Sequence, residues 1–500
     1  MVNLRSPPRG GPNGSTRGGP NGSKRGWRSH LCTCYLFIIV VYLVLVYEHA
    51  SFVDESLLKK ATRSEGVTVV KIAFLYAHTW SSVVLRGVLA GHYIHKQWNA
   101  IYNHAPINPA DRVLLKFEYV EVYSFMHNSP PDRALEGLQY CFHVKEYFRG
   151  AAKRCAKLGA TNVFDRVDEK LKTDAEYIDL YIENSIASAK YLAPEVPPKS
   201  KIAVIYHPHS NMDMDTTEPV RRIGKKPVLA LMGHPGHLPD GKRIDEIRGI
   251  ARRHGFELAF QQDLEKKYAY EHPHMKRRIT DIMGVHRGWF FLSFSVVRRT
   301  LDHLQWALTG KCSVDDNCDA FYREDRQSGV VKRAWKSQRN HHVHLHHIDV
   351  CLMWPRDEAD DFETILRPIT RLATCLSHGI PTIHYYGYDY YEEVEKPTRL
   401  AGQVTAASIH DLDRLLGELA ESAEQFRRIS EQSFDVSRAF TYEETARLYI
   451  AIMCRERPQM CPTLEDGGRP PWPPVRATLI GADEDQQQHM LYTFEGYAAP

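Results

Sequence analysis

The stretch IDVCLMWP, residues 348–355, is followed by PITRLATCLSH at residues 368–378 and, after Gly379, by IPTIHYY at residues 380–386. The first and third segments are short apolar runs typical of strands buried on both faces, and the second has the length and composition of a helix. Gly379 stands where such a helix would end. Strand, helix and strand in this order predict a unit of parallel sheet covered by a helix.

The same alternation of strand and helix runs through the rest of the chain. Residues 67–76, VTVVKIAFLY, are typical of a buried strand, and residues 81–98 follow with apolar side chains near helical spacing. A helical stretch is predicted at residues 134–158. The series restarts at residues 226–240, KPVLALMGHPGHLPD, with a strand and a loop that carries Gly and Pro. The pattern predicts an α/β fold of two doubly wound Rossmann-like domains facing an interdomain cleft.

Length and composition limit the classes of protein open to the chain. Its 500 residues suffice for two or three domains, and 43% hydrophobic with 25% charged residues is ordinary for a globular protein. A disordered chain, a collagen-like fibre and a many-pass membrane protein are thereby excluded. The net charge is only +3, and the first thirty residues carry six basic side chains and no acidic one. The body is therefore not basic, and nucleic acid is not an expected partner.

Residues 31–47, LCTCYLFIIVVYLVLVY, are seventeen uncharged residues, close to the shortest length that crosses a bilayer core as a helix. The flank before them is basic and Glu48 follows them directly, so the positive-inside rule places the N-terminus in the cytosol. A cleaved signal peptide is the alternative, but the basic region is long and residues 48–50, EHA, are a poor cleavage site. A single type II membrane anchor is therefore predicted.

The chain is expected to divide into six parts. Residues 9–24 repeat RGGPNGST as RGGPNGSK, a Gly-rich composition that cannot bury a core. The predicted parts are a disordered basic tail at 1–30, the transmembrane anchor at 31–47, a stem at 48–68, an N-terminal Rossmann-like domain at 69–212, a C-terminal Rossmann-like domain with terminal helices at 213–455, and a polar Pro-rich tail at 456–500.

Ten cysteines agree with an oxidising compartment. Two pairs bracket short polar stretches and are spaced to close small loops, namely Cys312 with Cys318 and Cys454 with Cys461. Cys351 and Cys375 stand inside apolar runs, which favours reduced, buried thiols at those positions.

Three local motifs carry a resemblance to a known family. They are YIENS at residues 181–185 followed by HPHSN at residues 207–211, PVLALMGHPG at residues 227–236, and the segment from Ile348 to Ile383 with its G-x-P turn. They resemble, in order, the close of the N-terminal domain, the first strand and loop of the C-terminal domain, and the donor site of group 1 glycosyltransferases of the GT-B fold. The order of elements resembles that family over residues 69–455.

The resemblance implies an acceptor domain first and a nucleotide-sugar donor domain second. A sugar nucleotide carries two phosphates, which backbone N–H groups and fixed cations neutralise. Arg367 and Arg371 are four residues apart, so both side chains can project from one side of a helix toward a diphosphate, although a solvated basic face is the alternative. The predicted donor-binding residues are Gly233, His234, Arg367, Thr370, Arg371, Gly379 and Pro381.

The chain departs from that family at two positions. Retaining members often carry two glutamates eight residues apart in the donor segment. The corresponding positions here are Leu366 and Thr374. With both carboxylates missing, a retaining mechanism and the usual ribose contact lose their support in the sequence.

The N-terminal half supplies the candidate catalytic residues, His78 and Asp165. His78 lies in YAHTWSS after the first strand, where some inverting relatives place their general base, and an imidazole can take a proton from an acceptor hydroxyl. Asp165 follows a predicted strand and is the candidate to orient or replace it, with a capping or surface role as the alternative. His207 and His209 are expected to face the cleft and contact donor or acceptor.

The run HHVHLHH at residues 341–347 is a separate candidate for metal binding. In an extended chain His342, His344 and His346 share one face, a spacing suited to zinc. Because no Cys or carboxylate has metal-ligand spacing with the run, a solvated, pH-responsive loop is favoured and no metal site is predicted.

The sequence thus predicts a membrane-anchored glycosyltransferase that moves a sugar from a nucleotide-sugar donor to an acceptor hydroxyl. The nucleotide-sugar is a co-substrate, and no cofactor is required. The expected partners are that donor, a glycan, protein or lipid acceptor, and a Golgi or ER membrane crossed once, with the body in the lumen. Two alternatives stay open: a non-catalytic anchored carbohydrate-binding protein of the same fold, and a metal-dependent hydrolase that uses the His341–His347 run.

Overall fold

Two β-sheets with their covering helices make up the computed structural model of the chain. The described residues are 68–76, 84–104, 113–121, 135–167, 175–211, 220–233, 235–269, 340–358, 365, 367, 369–388, 400, 404–461, 472–480 and 488–494. The tail, anchor and stem predicted within residues 1–67 lie outside them, as do Cys312 and Cys318. Among the described residues, no helix combines the length and the apolar composition needed to cross a membrane.

Thirteen strands of the described ranges form the two sheets. Numbered along the chain, they are β1 Thr68–Tyr76, β2 Val113–Glu121, β3 Leu138–Val144, β4 Thr161–Asp165, β5 Leu180–Glu183, β6 Lys201–Val204, β7 Val228–Leu231, β8 Glu257–Phe260, β9 Val350–Met353, β10 Thr382–Tyr385, β11 Thr405–Ala406, β12 Val475–Ile480 and β13 His489–Phe494. The N-terminal sheet has the order β12-β13-β6-β5-β4-β3-β1-β2, and the C-terminal sheet has the order β11-β10-β9-β7-β8. Every neighbouring pair is parallel except β12 with β13. Two Rossmann-like sheets are therefore confirmed.

Nine α-helices in the same ranges connect or flank these strands. They are α1 Ala90–His104, α2 Arg149–Lys157, α3 Ile186–Leu192, α4 Gly241–Arg253, α5 Gln261–Ala269, α6 Thr370–Leu376, α7 Ile409–Glu421, α8 Ala423–Ser437 and α9 Tyr442–Glu456. A π-helical turn, Val84–Leu89, runs directly into α1. Side-chain oxygens at the N-caps of α3, α4, α7, α8 and α9 accept backbone N–H groups of the first turn, which fixes where these helices begin.

The helix predicted at residues 134–158 is wrong for its first half. Residues 138–144, LQYCFHV, form β3 between β1 and β4, and only Arg149–Lys157 is helical. All residues of β3 are buried except Gln139, because a central strand of a parallel sheet is covered on both faces. A short apolar run of this kind has no periodicity that separates a strand from a buried helix.

In each sheet the order of strands reverses at one place. The chain passes from β1 to β2 on one side and then continues through β3 to β6 on the other side of β1. It likewise passes from β7 to β8 and then builds β9, β10 and β11 beyond the opposite side of β7. Connections leave in opposite directions at such a point, which opens a crevice at the carboxyl ends of the strands.

The C-terminal end of the chain returns to the N-terminal sheet. Helix α9 packs there: the Tyr140 hydroxyl donates to the Met453 carbonyl at 2.8 Å, and the rings of Tyr93 and Tyr442 stack at 4.8 Å. Beyond it, β13 pairs with β6, and β12 pairs with β13 at the edge. The prediction of a polar tail at 456–500 is therefore wrong for these two strands: VRATLI and HMLYTF are short, mostly apolar runs within an otherwise polar, Pro-rich stretch.

All six described cysteines form disulfides. Cys454 bonds to Cys461, as their spacing predicts. Cys351 bonds to Cys375, so the expectation of two reduced thiols there is wrong: apolar surroundings suit a buried disulfide as well as a thiol. A third disulfide joins Cys141 of β3 to Cys155 of α2, and the sequence analysis missed it because the two residues had been placed in one helix.

We expect removal of the Cys351–Cys375 disulfide to destabilise the protein more than removal of Cys454–Cys461. The two disulfides close loops of 24 and 7 residues, and the chain-entropy relation gives about 3.4 and about 2.4 kcal/mol for these lengths. Urea unfolding of the paired Cys→Ala variants measures the difference. Alkylation of Cys351 in the folded, unreduced protein would contradict the disulfide itself.

Several histidines are buried, and burial lowers their pKa values. Burial lowers the pKa of His143 to about 4 and that of His209 to about 3. The pKa values of His207 and His378 are also well below the ordinary value, because of burial and then the nearby cations Arg86 and Arg221 respectively. The unfolded chain therefore binds protons between about pH 6.5 and pH 4 that the folded protein does not bind.

The free energy of unfolding should fall as the pH drops from 6.5 toward 4, by up to about 1.4 kcal/mol per pH unit for each such histidine. Urea unfolding at a series of pH values measures this slope. In His209→Gln this dependence should be smaller by the contribution of one histidine, up to about 1.4 kcal/mol per pH unit. An equal slope in the wild type and His209→Gln would contradict the assignment.

Candidate functional site

The crevice of the C-terminal sheet lies at the carboxyl ends of β7 and β9. The loop after β7 starts at Met232, whose N–H donates to the Leu352 carbonyl at 2.9 Å. It continues through Gly233 into a 3₁₀ turn, Pro235–His237, and then into α4. The loop after β9 contains Trp354. Since β7 and β9 flank the reversal of strand order, this edge is the expected ligand position of the C-terminal half.

Gly233 lets a guanidinium approach the backbone closely. Its φ is +148°, a conformation that other residues rarely adopt. A Cβ atom at this position would lie 3.2 Å from both Arg371 Nη1 and Leu238 Cδ2. The Gly233 N–H donates to the Gln261 side-chain oxygen at 2.9 Å. A side chain at residue 233 would therefore displace Arg371 or shift the loop.

Arg371 is the second residue of α6 and is half-buried. Within the described part of the chain it forms no hydrogen bond and no ion pair, and its Nη1 lies 3.2 Å from the position that a Cβ atom of residue 233 would take. A guanidinium has five N–H donors in a planar fork, and a partly desolvated one is stabilised by an anion that accepts them. The arrangement therefore suits an anionic ligand with paired oxygens.

Two further arginines contact the 3₁₀ turn that follows Gly233. Arg367 Nη2 donates to His237 Nδ1 at 2.7 Å, so that nitrogen accepts and the proton of the neutral ring resides on Nε2. Arg356, exposed after β9, reaches the Gly236 carbonyl at 3.5 Å. Arg367 and Arg371 thus both lie at this loop, but α6 begins at Thr370, so Arg367 precedes the helix and the predicted projection of both side chains from one side of a helix is not what places them here.

A cluster of polar and aromatic side chains surrounds Trp354 in the loop after β9. The sequence analysis did not predict this cluster. The indole N–H of Trp354 donates to Glu358 at 2.8 Å, and Arg243 of α4 pairs with the same carboxylate oxygen at 2.8 Å. The Arg243 guanidinium lies 5.8 Å from the Trp354 ring, and the Tyr385 ring lies 5.3 Å from it. The only signal in the sequence was a Trp-Pro pair directly after a strand, which does not specify these partners.

Gly379 and Pro381 lie away from Arg371. Gly379 ends α6 with φ of +63°, and its carbonyl accepts from Ser430. Pro381 is buried just before β10, where its carbonyl accepts from the Cys351 N–H. A helix of seven residues spans about 10 Å and separates them from the first turn of α6. Their observed contacts are those of a helix end and a strand start, not of a donor site.

Thr370 and His234 complete the predicted donor set. Thr370 begins α6, and its hydroxyl has no hydrogen-bond partner within the described residues. His234 lies outside them. The structure therefore brings together Gly233, Arg367, Thr370 and Arg371 from the predicted set.

Asp165 is part of a buried ionic cluster at the carboxyl end of β4. It is 1% exposed, and its Oδ2 accepts both from Arg86 Nε at 2.9 Å and from the Tyr449 hydroxyl of α9. Arg86 also donates to the Ile205 and Tyr206 carbonyls at 2.9 and 3.1 Å. To act as a base, Asp165 would have to give up these bonds, so its contacts favour a role in holding β4, α9 and the end of β6 together.

His78 lies in residues 77–83, outside the described residues, so its predicted role as a base stays a prediction. His207 and His209 are described and buried, 1% and 2% exposed. Among the described residues, His207 Nε2 and both ring nitrogens of His209 have no hydrogen-bond partner. Both histidines are neutral at pH 7 and closed to solvent, so they do not face an open cleft in this conformation.

The histidine run is a 3₁₀ helix, Asn340–His347, and not an extended segment. A period of three residues per turn does not place His342, His344 and His346 on one face, so the predicted alignment is wrong. His344 is buried with its Nε2 4.0 Å from Glu265, whereas His347 stacks on Tyr268 at 3.6 Å. Across the described ranges, no group of three or more His, Cys, Asp or Glu side chains is arranged to hold a metal.

Comparison with known proteins gives only distant likenesses. No protein-family model matches the chain, and no curated protein matches its sequence. Among solved structures it is similar to HepE of Anabaena in complex with UDP and glucose, at 10% identity and a TM-score of 0.41 over 77% of this chain and 100% of that chain. It is similar to a glycosyltransferase from Rickettsia africae at 10% identity and a TM-score of 0.42, over 77% and 98%. It is also similar to sucrose-phosphate synthase from Thermosynechococcus elongatus at 10% identity and a TM-score of 0.35, over 77% and 98%. These values do not establish a family, so the function is argued from the geometry of the chain.

Proposed function

We propose that the chain is a glycosyltransferase that binds a nucleotide-sugar at the carboxyl edge of its C-terminal sheet. The observation that carries the proposal is Arg371, a half-buried guanidinium that lies against Gly233 and lacks an anionic partner within the described residues. Two parallel phosphate oxygens match the fork of such a group. Its position at the reversal of strand order is where open α/β sheets bind ligands.

Sugar transfer would use the positive charge of Arg371 to stabilise the leaving group. When the bond between the sugar and the diphosphate breaks, the bridging oxygen leaves with the electron pair and the diphosphate gains negative charge. Arg371, with Arg367 beside it, would stabilise that charge without reorganising during the reaction. The acceptor hydroxyl forms the new bond to the sugar and gives its proton to a base.

We assign the base to His78 and place the acceptor between the carboxyl edges of the two sheets. His78 follows β1, where the N-terminal sheet reverses its strand order. The other candidate, Asp165, is engaged by Arg86 and Tyr449. The segment after β6, at the carboxyl edge of the N-terminal sheet, contacts α6 of the C-terminal half, because Ser210 is hydrogen-bonded to Thr374. This contact supports the proposed position of the acceptor.

We further propose that the protein is a type II membrane protein of the Golgi or ER with its body in the lumen. Three disulfides among the described residues join elements of both sheets and the end of α9, and disulfides persist in oxidising compartments. The uncharged residues 31–47, preceded by a basic segment, supply the proposed anchor.

Substitution of Arg371 by Ala should weaken binding of UDP or GDP about 10- to 100-fold, since hydrogen bonds to charged groups contribute about 1.5–3 kcal/mol. Isothermal titration calorimetry of the full chain measures it. Arg427→Ala is the matched control, because Arg427 is an exposed arginine of α8 whose nearest charge is Glu431.

Transfer assays with a panel of sugar nucleotides then separate an enzyme from a non-catalytic binder. Release of nucleoside diphosphate that depends on Arg371 supports the transferase. Tight binding without turnover would favour the carbohydrate-binding alternative. Absence of binding by the wild type to every nucleotide of the panel would remove the proposed function.

The Gly233→Ala variant should lose nucleotide affinity without Arg371 itself being changed. The new Cβ atom would lie 3.2 Å from Arg371 Nη1, so the guanidinium would have to move by a few tenths of an ångström. Gly159→Ala is the control for backbone strain, because Gly159 also has a positive φ, +75°, but a Cβ atom there would have no neighbouring atom within 4 Å. Both variants should lose stability, and only Gly233→Ala should bind UDP or GDP more weakly. Equal affinities would contradict the role of this contact.

A further inference from the structure

The segment that leaves the N-terminal sheet after β6 is hydrogen-bonded to α6, the helix that carries Arg371. The Ser210 N–H donates to Thr374 Oγ1 at 3.2 Å, and the two hydroxyl oxygens lie 2.9 Å apart. The Asn211 amide donates to the Ser377 carbonyl at 2.7 Å. These four residues are at most 6% exposed, so water does not compete for the bonds.

The same segment is fixed at its other end to the N-terminal half. The Arg86 guanidinium donates to the Tyr206 carbonyl at 3.1 Å, and the His209 N–H donates at 2.8 Å to the carbonyl of Phe440, which lies in the 3₁₀ turn between α8 and α9. Arg86 is in turn paired with Asp165. Residues 206–211 are therefore held at both ends, and they transmit the position of the N-terminal sheet to α6.

Thr374 lies three residues after Arg371 in a helix of seven residues. Side chains three apart are neighbours on a helix surface, and so short a helix moves as one body. The disulfide from Cys375 to Cys351 attaches it to β9, and its side chains Leu372, Ala373 and Leu376 are buried in the core. The bonds from Ser210 to Thr374 attach the same helix to the segment that leaves the N-terminal sheet.

We infer that Ser210 and Thr374 are positioning residues that hold Arg371 against Gly233 and couple nucleoside diphosphate binding there to the junction between the two halves. The inference rests on the proposed function, since it names the ligand of the same site. Coupling is reciprocal: if the junction orders Arg371, a ligand on Arg371 orders the junction.

Thr374→Val tests whether the contact with Ser210 positions Arg371 for nucleotide binding. Valine keeps the shape of the side chain and removes both bonds from Ser210. The variant should bind UDP or GDP roughly tenfold more weakly, a size common for coupled sites. Thr382→Val is the matched control: Thr382 is equally buried, but its hydroxyl donates to the nearby Ile380 carbonyl at 2.9 Å and does not contact the N-terminal half.

Ser210→Ala provides a second variant from the other side of the contact, which keeps the test valid if Thr374→Val folds poorly. It should weaken binding by a smaller factor, because the bond from the Ser210 N–H to Thr374 Oγ1 remains. The double variant should bind no more weakly than Thr374→Val alone, because Thr374→Val already removes both bonds. Additive losses would indicate two independent effects and would overturn the pairing.

Hydrogen exchange of residues 205–211 tests whether a ligand bound at Arg371 orders the junction between the two halves. Saturating UDP or GDP should slow exchange in this segment of the wild type, where the Ser210 N–H donates to Thr374, and should have no such effect in Thr374→Val. Uridine and guanosine, which carry no phosphates, are the ligand controls. A merely structural contact would not respond to the nucleotide.

The outcomes separate the two proposals. Wild-type binding of UDP or GDP together with normal affinity in Thr374→Val, or with unchanged exchange at residues 205–211, overturns the coupling and leaves the proposed function intact. Failure of the wild type to bind any nucleoside diphosphate removes the proposed function and the coupling together.

Discussion

The buried ion pair between Arg86 and Asp165 is the interaction on which the arrangement of this protein depends. Both side chains are withdrawn from water, at 0% and 1% exposure, and leaving either charge without its partner would cost about 3–5 kcal/mol. The network is complete because Tyr449 donates to Asp165 and two carbonyls at the end of β6 accept from Arg86. One guanidinium thereby joins the π-helical turn, β4, β6 and α9.

This network sets the course of the chain into the second half. The backbone that leaves β6 is held by Arg86 at Tyr206 and reaches α6 at Ser210. Helix α6 in turn places Arg371 on Gly233 at the reversal of strand order in the C-terminal sheet. The buried charges of one sheet and the guanidinium at the edge of the other are therefore connected through a few directional bonds. A purely apolar contact between the halves would allow them to slide, whereas hydrogen bonds at buried positions fix a register.

Part of the candidate site is readable in the sequence. A Gly after a buried strand and two arginines four apart at a helix start are local patterns, and the structure places Gly233, Arg367 and Arg371 at one loop. Gly379 and Pro381 were grouped with them because they are close in sequence, but a helix carries the chain to the opposite edge of the sheet. Asp165 ends β4, a position where catalytic carboxylates are often found, yet its partner Arg86 is 79 residues away in the chain and no local pattern indicates it. Cys351 and Cys375 are a similar case, since an apolar run does not reveal whether a second cysteine lies within bonding distance.

The sequence by itself determined the alternation of strand and helix that builds two largely parallel sheets, the positions of β1, β9 and β10 to within two residues, and the basic character of the loop at the C-terminal crevice. These follow from local properties: apolar runs form buried strands, and Gly and Pro interrupt them. The tertiary structure decided that α9, β12 and β13 belong to the N-terminal sheet, that six cysteines pair, that Asp165 is neutralised, and that no carboxylate of the described ranges neutralises Arg371. Each of these depends on which distant residues meet, and burial makes a charge or a thiol behave according to its neighbours in space, not its neighbours in the chain.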